Sequence, residues 1–263
     1  MTLPIQLIST DFDGTLFAEF ERPPVPEALQ HTLADLQSKG VKWVINTGRD
    51  LSSLMETMAR AGFHVQPDYV VVVEREIYQH IEHEYVSLET WNNHCTEVHD
   101  ELFARVQPDL ERITAWINER FNVTLYADDY SPLCFIAGNN PTADKITEYL
   151  EDYCKSIPGL TVVRNDIYAR LSHRDFNKGS ALAEITRLLG LNSSQVFAAG
   201  DHFNDLPMLK VEYAAMLAAP VNAIGPVKEQ VEAQGGYISH QSCGQGILRA
   251  LEFYLERPVP KNP

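Results

Sequence analysis

The sequence predicts an α/β protein built on a mostly parallel sheet, and three observations predict it. Short apolar runs recur at residues 5–8, 41–45, 69–73 and 196–199. Strands covered by helices on both faces are continuously apolar, so these runs fit a parallel sheet. The stretches between them carry apolar residues at helical spacing, such as Leu29, Leu33 and Leu36. Finally, the runs end in polar residues: Asp11 and Asp13, Thr47, and Asp201. Open parallel sheets bind ligands beyond the carboxyl ends of their strands.

Taken in order, the first strand is followed by a helix that Pro26 opens and Gly40 closes. A second strand ends in Asn46-Thr47-Gly48-Arg49, and a helix is expected over about 51–60. The third strand is 69–73. From about 77 to 174 the rhythm changes. Helices are expected around Val98, Leu102 and Val106, around Leu110, Ile113 and Ile117, and around Ile146, Tyr149 and Leu150. Strands are expected near Leu125 and at 134–137, 161–164 and 167–171. This is an α+β unit inserted into the α/β core. The βα rhythm resumes with a helix from Lys178 through Leu182, Ile185 and Leu189, closed by Gly190. The strand at 196–199 follows, with further strands at 213–217 and 237–238. The tail, 257–263, has three prolines and is expected to be loose. The domains are therefore 1–76 with 175–263 as core, and 77–174 as insertion.

The 263 residues carry 36 acidic side chains against 21 Lys and Arg, a net charge of −15. No basic face is available for a nucleic-acid backbone, so no nucleic-acid partner is expected. Divalent cations suit such a chain, and an anionic ligand would need a local positive pocket. The four cysteines form no CxxC pair and are expected to be free thiols. No signal peptide and no membrane-length apolar run is visible, so a cytoplasmic protein with no membrane partner is expected.

Asp11 and Asp13 stand two residues apart where a buried strand ends. Like charges that close need a cation between them. Asp11, Asp13 and Asp201 offer oxygen ligands to a hard divalent ion, and Mg²⁺ suits a few carboxylates plus water and phosphate. Alone, each is an ordinary strand-end residue, and Lys178 alone is an ordinary first residue of a helix. Their joint occurrence is what points to chemistry.

The stretches "DFDGTL", "NTGR", "NKGSAL" and "GDHFNDLPML" resemble, in order, the four motifs of the haloacid dehalogenase-like phosphatases. The resemblance covers the whole core and implies a Rossmann-like core. The long insertion resembles the cap of the Cof-type and sucrose-phosphate-phosphatase-like branches. By that resemblance and by chemistry, Asp11 is the expected nucleophile. Asp13 is the expected acid and base. Thr47, with nearby backbone N–H groups, would hold phosphoryl oxygens, and Lys178 would neutralise charge. Asp205 would orient Lys178 or a metal-bound water. Mg²⁺ would sit on Asp11, the Asp13 main-chain carbonyl and Asp201. Gly48, Arg49, Asn204, Arg75, Arg170 and Arg174 are the expected substrate-binding residues, and a small phosphate ester, most simply a sugar phosphate, is the expected substrate.

The chain departs from its relatives after the third strand. Their small-residue turn, "NGA" or "GTEIY", becomes Glu74-Arg75-Glu76-Ile77-Tyr78, which puts the charged pair Glu74-Arg75 in place of small residues. Asp175 replaces the Gly expected before the lysine. His80, His83, His94 and His99 lack zinc-ligand spacing and are expected on a solvated surface. Trp43 and Trp116 are expected in the core. The rival functions are a phosphomutase using the same aspartyl phosphate and a silent binding protein on the same scaffold. A monomer or small homo-oligomer is expected.

Overall fold

The structure is a computed structural model describing residues 3–256; the proline-bearing tail lies outside the described residues. The chain runs β1 (Leu7–Thr10), α1 (Glu27–Ser38), β2 (Lys42–Asn46), α2 (Leu51–Arg60), β3 (Tyr69–Val72), β4 (Glu76–Ile81) and β5 (Glu84–Ser87). There follow α3 (Glu89–Val106), α4 (Leu110–Asn118), β6 (Thr124–Asp128), β7 (Ser131–Ile136), α5 (Asn140–Cys154), β8 (Leu160–Asn165) and β9 (Tyr168–His173). It ends with α6 (Lys178–Leu188), β10 (Val196–Ala199), β11 (Met216–Ala219), α7 (Gly225–Ala233), β12 (Tyr237–Ile238) and α8 (Cys243–Leu255). These elements form two compact units, one made of residues up to 88 and from 178 onward, the other of 89–177.

The first unit is built on an eight-stranded sheet in the order β12-β11-β10-β1-β2-β3-β4-β5. The six strands from β12 to β3 pair in parallel, and β3-β4 and β4-β5 are antiparallel. Register aligns the strand ends: Thr10 pairs with both Ala199 and Ile45. The residues just beyond β1, β2 and β10 therefore emerge side by side. β1, β3 and β10 are wholly buried, as their apolar sequences require. Leu29, Leu33 and Leu36 of α1 bury one helical face. Asp50 caps α2, its side chain accepting from Ser53 N–H at 2.8 Å. Trp43 is fully buried and donates its indole N–H to the Thr10 hydroxyl at 3.2 Å.

The second unit has a four-stranded antiparallel sheet, β6-β7-β9-β8. One face of it buries Leu133, Phe135, Ala169, Leu171 and Leu160 with Leu102, Ile113 and Ile146 of the helices.

Five expectations change. The insertion was expected to leave at 77, but residues 76–87 form the hairpin β4-β5 at the edge of the first unit's sheet. That edge hairpin is half-buried, so its sequence alternates and does not resemble the continuous apolar runs beside it. The insertion ends at 177, not 174. The strand expected at 213–217 is β11, displaced to 216–219, because Tyr213 and Ala214 close a turn onto Lys210 O. His99 is not on a solvated surface. It is buried in the second unit, its Nδ1 2.7 Å from Cys95 O and its Nε2 accepting from His173 N–H at 3.1 Å. Trp116 is only partly buried, stacked on Tyr149 with centroids 3.7 Å apart. The four cysteines are free.

Candidate active site

The site is assembled where β1, β2 and β10 end and α6 begins. Lys178, the first residue of α6, is completely buried. Its Nζ donates to Asp11 Oδ1 and to Asp205 Oδ1, each at 2.6 Å. An ammonium placed this deep needs such partners, because desolvation otherwise strips its charge. Burial lowers the Lys178 pKa, but the carboxylates of Asp11, Asp205 and Glu74 outweigh burial and hold it above the ordinary lysine value. Asn46, at the end of β2, fixes the helix start by donating to Lys178 O at 2.9 Å. Gly179 lets α6 come this close to the loop after β10. A Cβ there would lie 2.4 Å from Pro207 O.

Asp205 is fully committed. While Oδ1 holds Lys178, Oδ2 accepts from the N–H groups of Asp201 and His202 at 2.8 and 2.9 Å. It orients the lysine and shapes the loop that carries Asp201. Asp201 in turn accepts from the Thr15 hydroxyl at 2.8 Å. It packs against Gly14, which has a φ of +75°; a Cβ there would fall 2.4 Å from Asp201 Oδ2. Glycine is thus required twice over, for conformation and for space.

Oxygens of Asp11, Asp201 and Asp205 all lie within 4.8 Å of one another. Burial, then repulsion from Asp205, pushes the Asp11 carboxyl well above the usual range, Lys178 opposing. Burial and Asp205 likewise push Asp201 up to about 7. A hard divalent cation relieves this stress, and the donor set is all oxygen. With both Asp205 oxygens engaged, Asp11 and Asp201 are the carboxylates left to hold such an ion.

Asp13 stands apart from this group. Arg49 grips it in bidentate fashion, Nε to Oδ2 and Nη2 to Oδ1, both at 2.7 Å. Arg49 also donates to the Ser53 and Thr57 hydroxyls at 3.0 Å. The Asp13 carboxylate is not among the clustered oxygens, whereas the atom expected at a metal is its main-chain carbonyl. Arg49 directs its guanidinium to Asp13 and α2, because a half-buried fork finds its best partner in a carboxylate. Thr47, buried, accepts from Arg49 N–H at 3.2 Å. Asn204 is buried and donates to Glu74 Oε1 at 3.0 Å. Arg75 is buried in the first unit. Arg170, on β9, is buried in the second unit, where Arg174 is exposed. Glu74 and Asn46 were not singled out from sequence. The signal for Glu74 was present: a charged residue where related chains carry a small one.

A parallel sheet whose strand ends gather a Lys-bridged carboxylate pair and a further, half-buried aspartate has the donor set of a phosphoryl-transfer hydrolase site. The chain belongs to the haloacid dehalogenase-like hydrolases, whose family model matches residues 8–74 and 75–251. It is similar to the 5-amino-6-(5-phospho-D-ribitylamino)uracil phosphatase of Bacillus subtilis, 26% identical over 265 residues that cover 95% of this chain and 96% of that one. A phosphoglycolate phosphatase of Methanopyrus kandleri is 25% identical over 254 residues, covering 95% of this chain and 97% of its own. The fold resembles the Synechocystis sucrose-phosphatase solved with sucrose and phosphate, with a TM-score of 0.71 and 20% identity over 96% of this chain and 98% of that one. Among the described residues no helix is long and apolar enough to cross a membrane.

Proposed function

We propose that the protein is a Mg²⁺-dependent phosphatase for a small phosphorylated metabolite, a sugar phosphate in the simplest case, and that it works through an aspartyl phosphate on Asp11. The observation that carries this reading is the buried Lys178, which touches Asp11 and Asp205 at once. It leaves one Asp11 oxygen, Oδ2, free of the lysine to attack phosphorus. Oδ2 forms the bond to phosphorus as the bond to the leaving alkoxide breaks. Asp13 gives the leaving oxygen its proton, then takes one from water as that water attacks the acyl phosphate; such help is worth about 10²–10⁴-fold. Arg49 holds both oxygens of the ionised Asp13, so one of these two bonds must give way for Asp13 to carry and pass its proton. Thr47, the backbone at Gly48, Asn204 and Lys178 would bind the phosphoryl oxygens. Asp11, Asp201 and the Asp13 carbonyl would hold Mg²⁺, which supplies electrostatic stabilisation of the developing phosphoryl charge. The insertion, with Arg170 and Arg174, would select the leaving group, as would Arg75 of the first unit.

The phosphatase relatives and the sugar bound in the Synechocystis structure support the substrate class. The test is a panel of phosphorylated metabolites assayed with Mg²⁺, with Ca²⁺ and with chelator. Turnover is expected with Mg²⁺ only, and Ca²⁺ is expected to inhibit, since it takes more ligands at longer distances. Full activity in excess chelator would refute the metal assignment.

A further inference from the structure

The turn between β3 and β4 is built from residues that do not suit it. Val73 and Glu74 have φ of +46° and +67°, and Arg75 N–H closes the turn onto Val72 O at 3.0 Å. Two left-handed central residues make a type I′ turn, which Asn-Gly fills without strain. A β-branched residue followed by a glutamate is a costly way to build it. The turn is also fastened to the phosphoryl-binding loop: Val73 N–H donates to Arg49 O and Glu74 N–H to Thr47 O, both at 2.9 Å. The Glu74 side chain is not directed to solvent. It is 3% exposed, it accepts from Asn204 Nδ2 at 3.0 Å, and its Oε1 lies 3.1 Å from where a Cβ on Gly48 would stand.

An amide beside a buried carboxylate has one stable orientation, with nitrogen toward the carboxylate. Glu74 therefore fixes the Asn204 amide. One Nδ2 hydrogen is taken, the other remains to donate, and Oδ1 is buried without a hydrogen-bond partner. A buried amide oxygen left unpaired is expensive unless a ligand completes it. Glu74 also contributes to the field that keeps Lys178 charged.

We propose that Glu74 is a positioning residue for phosphoryl transfer, holding Asn204 in the one orientation that offers the phosphoryl oxygens its remaining N–H, while its unpaired Oδ1 is left to accept from a donor such as water. The strained turn is the cost of placing a long acidic side chain at this point. This inference rests on the reading of Asn204 as a phosphoryl-binding residue.

The test uses the full chain, with p-nitrophenyl phosphate as substrate, inorganic phosphate as competing ligand, and thermal unfolding in parallel. Glu74→Gly removes the carboxylate and relieves the left-handed backbone. It is expected to lower kcat/KM and weaken phosphate binding by about tenfold, the size of one lost hydrogen bond. The unfolding midpoint should stay level or rise by about 2–4 °C. Glu74→Gln keeps an acceptor for Asn204 and should retain activity within about threefold of the parent. Once Asn204→Ala is present, adding Glu74→Gly should cost nothing further, since both changes act through the same amide.

Activity and midpoint falling together in Glu74→Gly would mark a merely structural residue and overturn the inference. So would multiplying losses in the double variant, or a Gln variant as impaired as the Gly one. Wild-type activity in Glu74→Gly with impaired Asn204→Ala would overturn this inference alone. Wild-type activity in Asn204→Ala would overturn the reading of Asn204 beneath it.

Discussion

The two units differ most in the ion pairs they bury. In the first, Lys178, Asp11, Asp205 and Glu74 are buried and interlocked at the ends of parallel strands. In the second, pairs such as Arg112–Asp109, Arg120–Glu119 and Lys155–Asp152 lie at the surface, and the interior is an apolar cluster of helix and sheet residues. Buried ion pairs seldom add net stability over apolar packing, whereas exposed pairs cost and contribute little. The first unit thus keeps an arrangement that stability alone does not favour, and the proposed reacting groups are drawn from it. The second unit is a mainly apolar core that buries two arginines, Arg164 and Arg170, of which Arg170 is the proposed functional residue.

The sharpest way to break this comparison is to remove the shared cation. Lys178→Met should take turnover below detection and, by leaving two buried carboxylates without their counter-charge, cost about 3–5 kcal/mol of stability. Arg112→Ala, at the second unit's surface, should leave both activity and midpoint unchanged. Equal sensitivity in urea melts would remove the distinction. Asp13→Asn comes next, with an expected rate loss of about 10²–10⁴-fold and an unaltered fold. The check is steady-state turnover alongside circular dichroism.

A smaller effect sharpens the electrostatic side. Burial holds the Asp201 carboxyl up to about 7 in the folded chain, above its ordinary value of 3.8. Its ionised form is therefore disfavoured by folding. The resulting destabilisation is absent below the ordinary value, grows as pH rises and is complete above about 7. Asp201→Asn should raise the metal-free midpoint at pH 8 and abolish the further rise that Mg²⁺ gives the parent. Because the ion competes with that proton, calorimetric Mg²⁺ affinity should weaken as pH falls through 7. A pH-independent affinity would remove Asp201 from the metal site. The smallest expected effect is on selectivity. Arg170→Ala should lower kcat/KM for the best natural substrate about tenfold while leaving p-nitrophenyl phosphate within about twofold. Equal losses on both would show Arg170 to be structural.

The legible parts of the fold were those set by local periodicity. Buried parallel strands announce themselves as continuous apolar runs, and α1 carries its own start and stop residues. The hairpin β4-β5 was not legible, since its half-buried, alternating His, Glu and Tyr look like the solvated unit that follows. The acidic site was legible because strand-end aspartates and Lys178 have few reasons to occur together. Which oxygens are engaged was not. Nothing in the order of residues says that Arg49 turns to Asp13, or that Asp205 uses both oxygens on Lys178 and the loop. Those are outcomes of which partners meet once the sheet has formed. Glu74 was visible as an oddity, but its purpose appears only with Asn204 beside it.

Trapping the covalent intermediate tests the central claim that the first unit supplies the reacting groups. The enzyme is exposed briefly to a phosphoryl donor with Mg²⁺, quenched in acid and digested for mass spectrometry. A phosphoryl group on Asp11, labile to hydroxylamine and lost in Asp11→Asn, is the predicted result. Phosphate on any residue of 89–177, or turnover by Asp11→Asn, would contradict it.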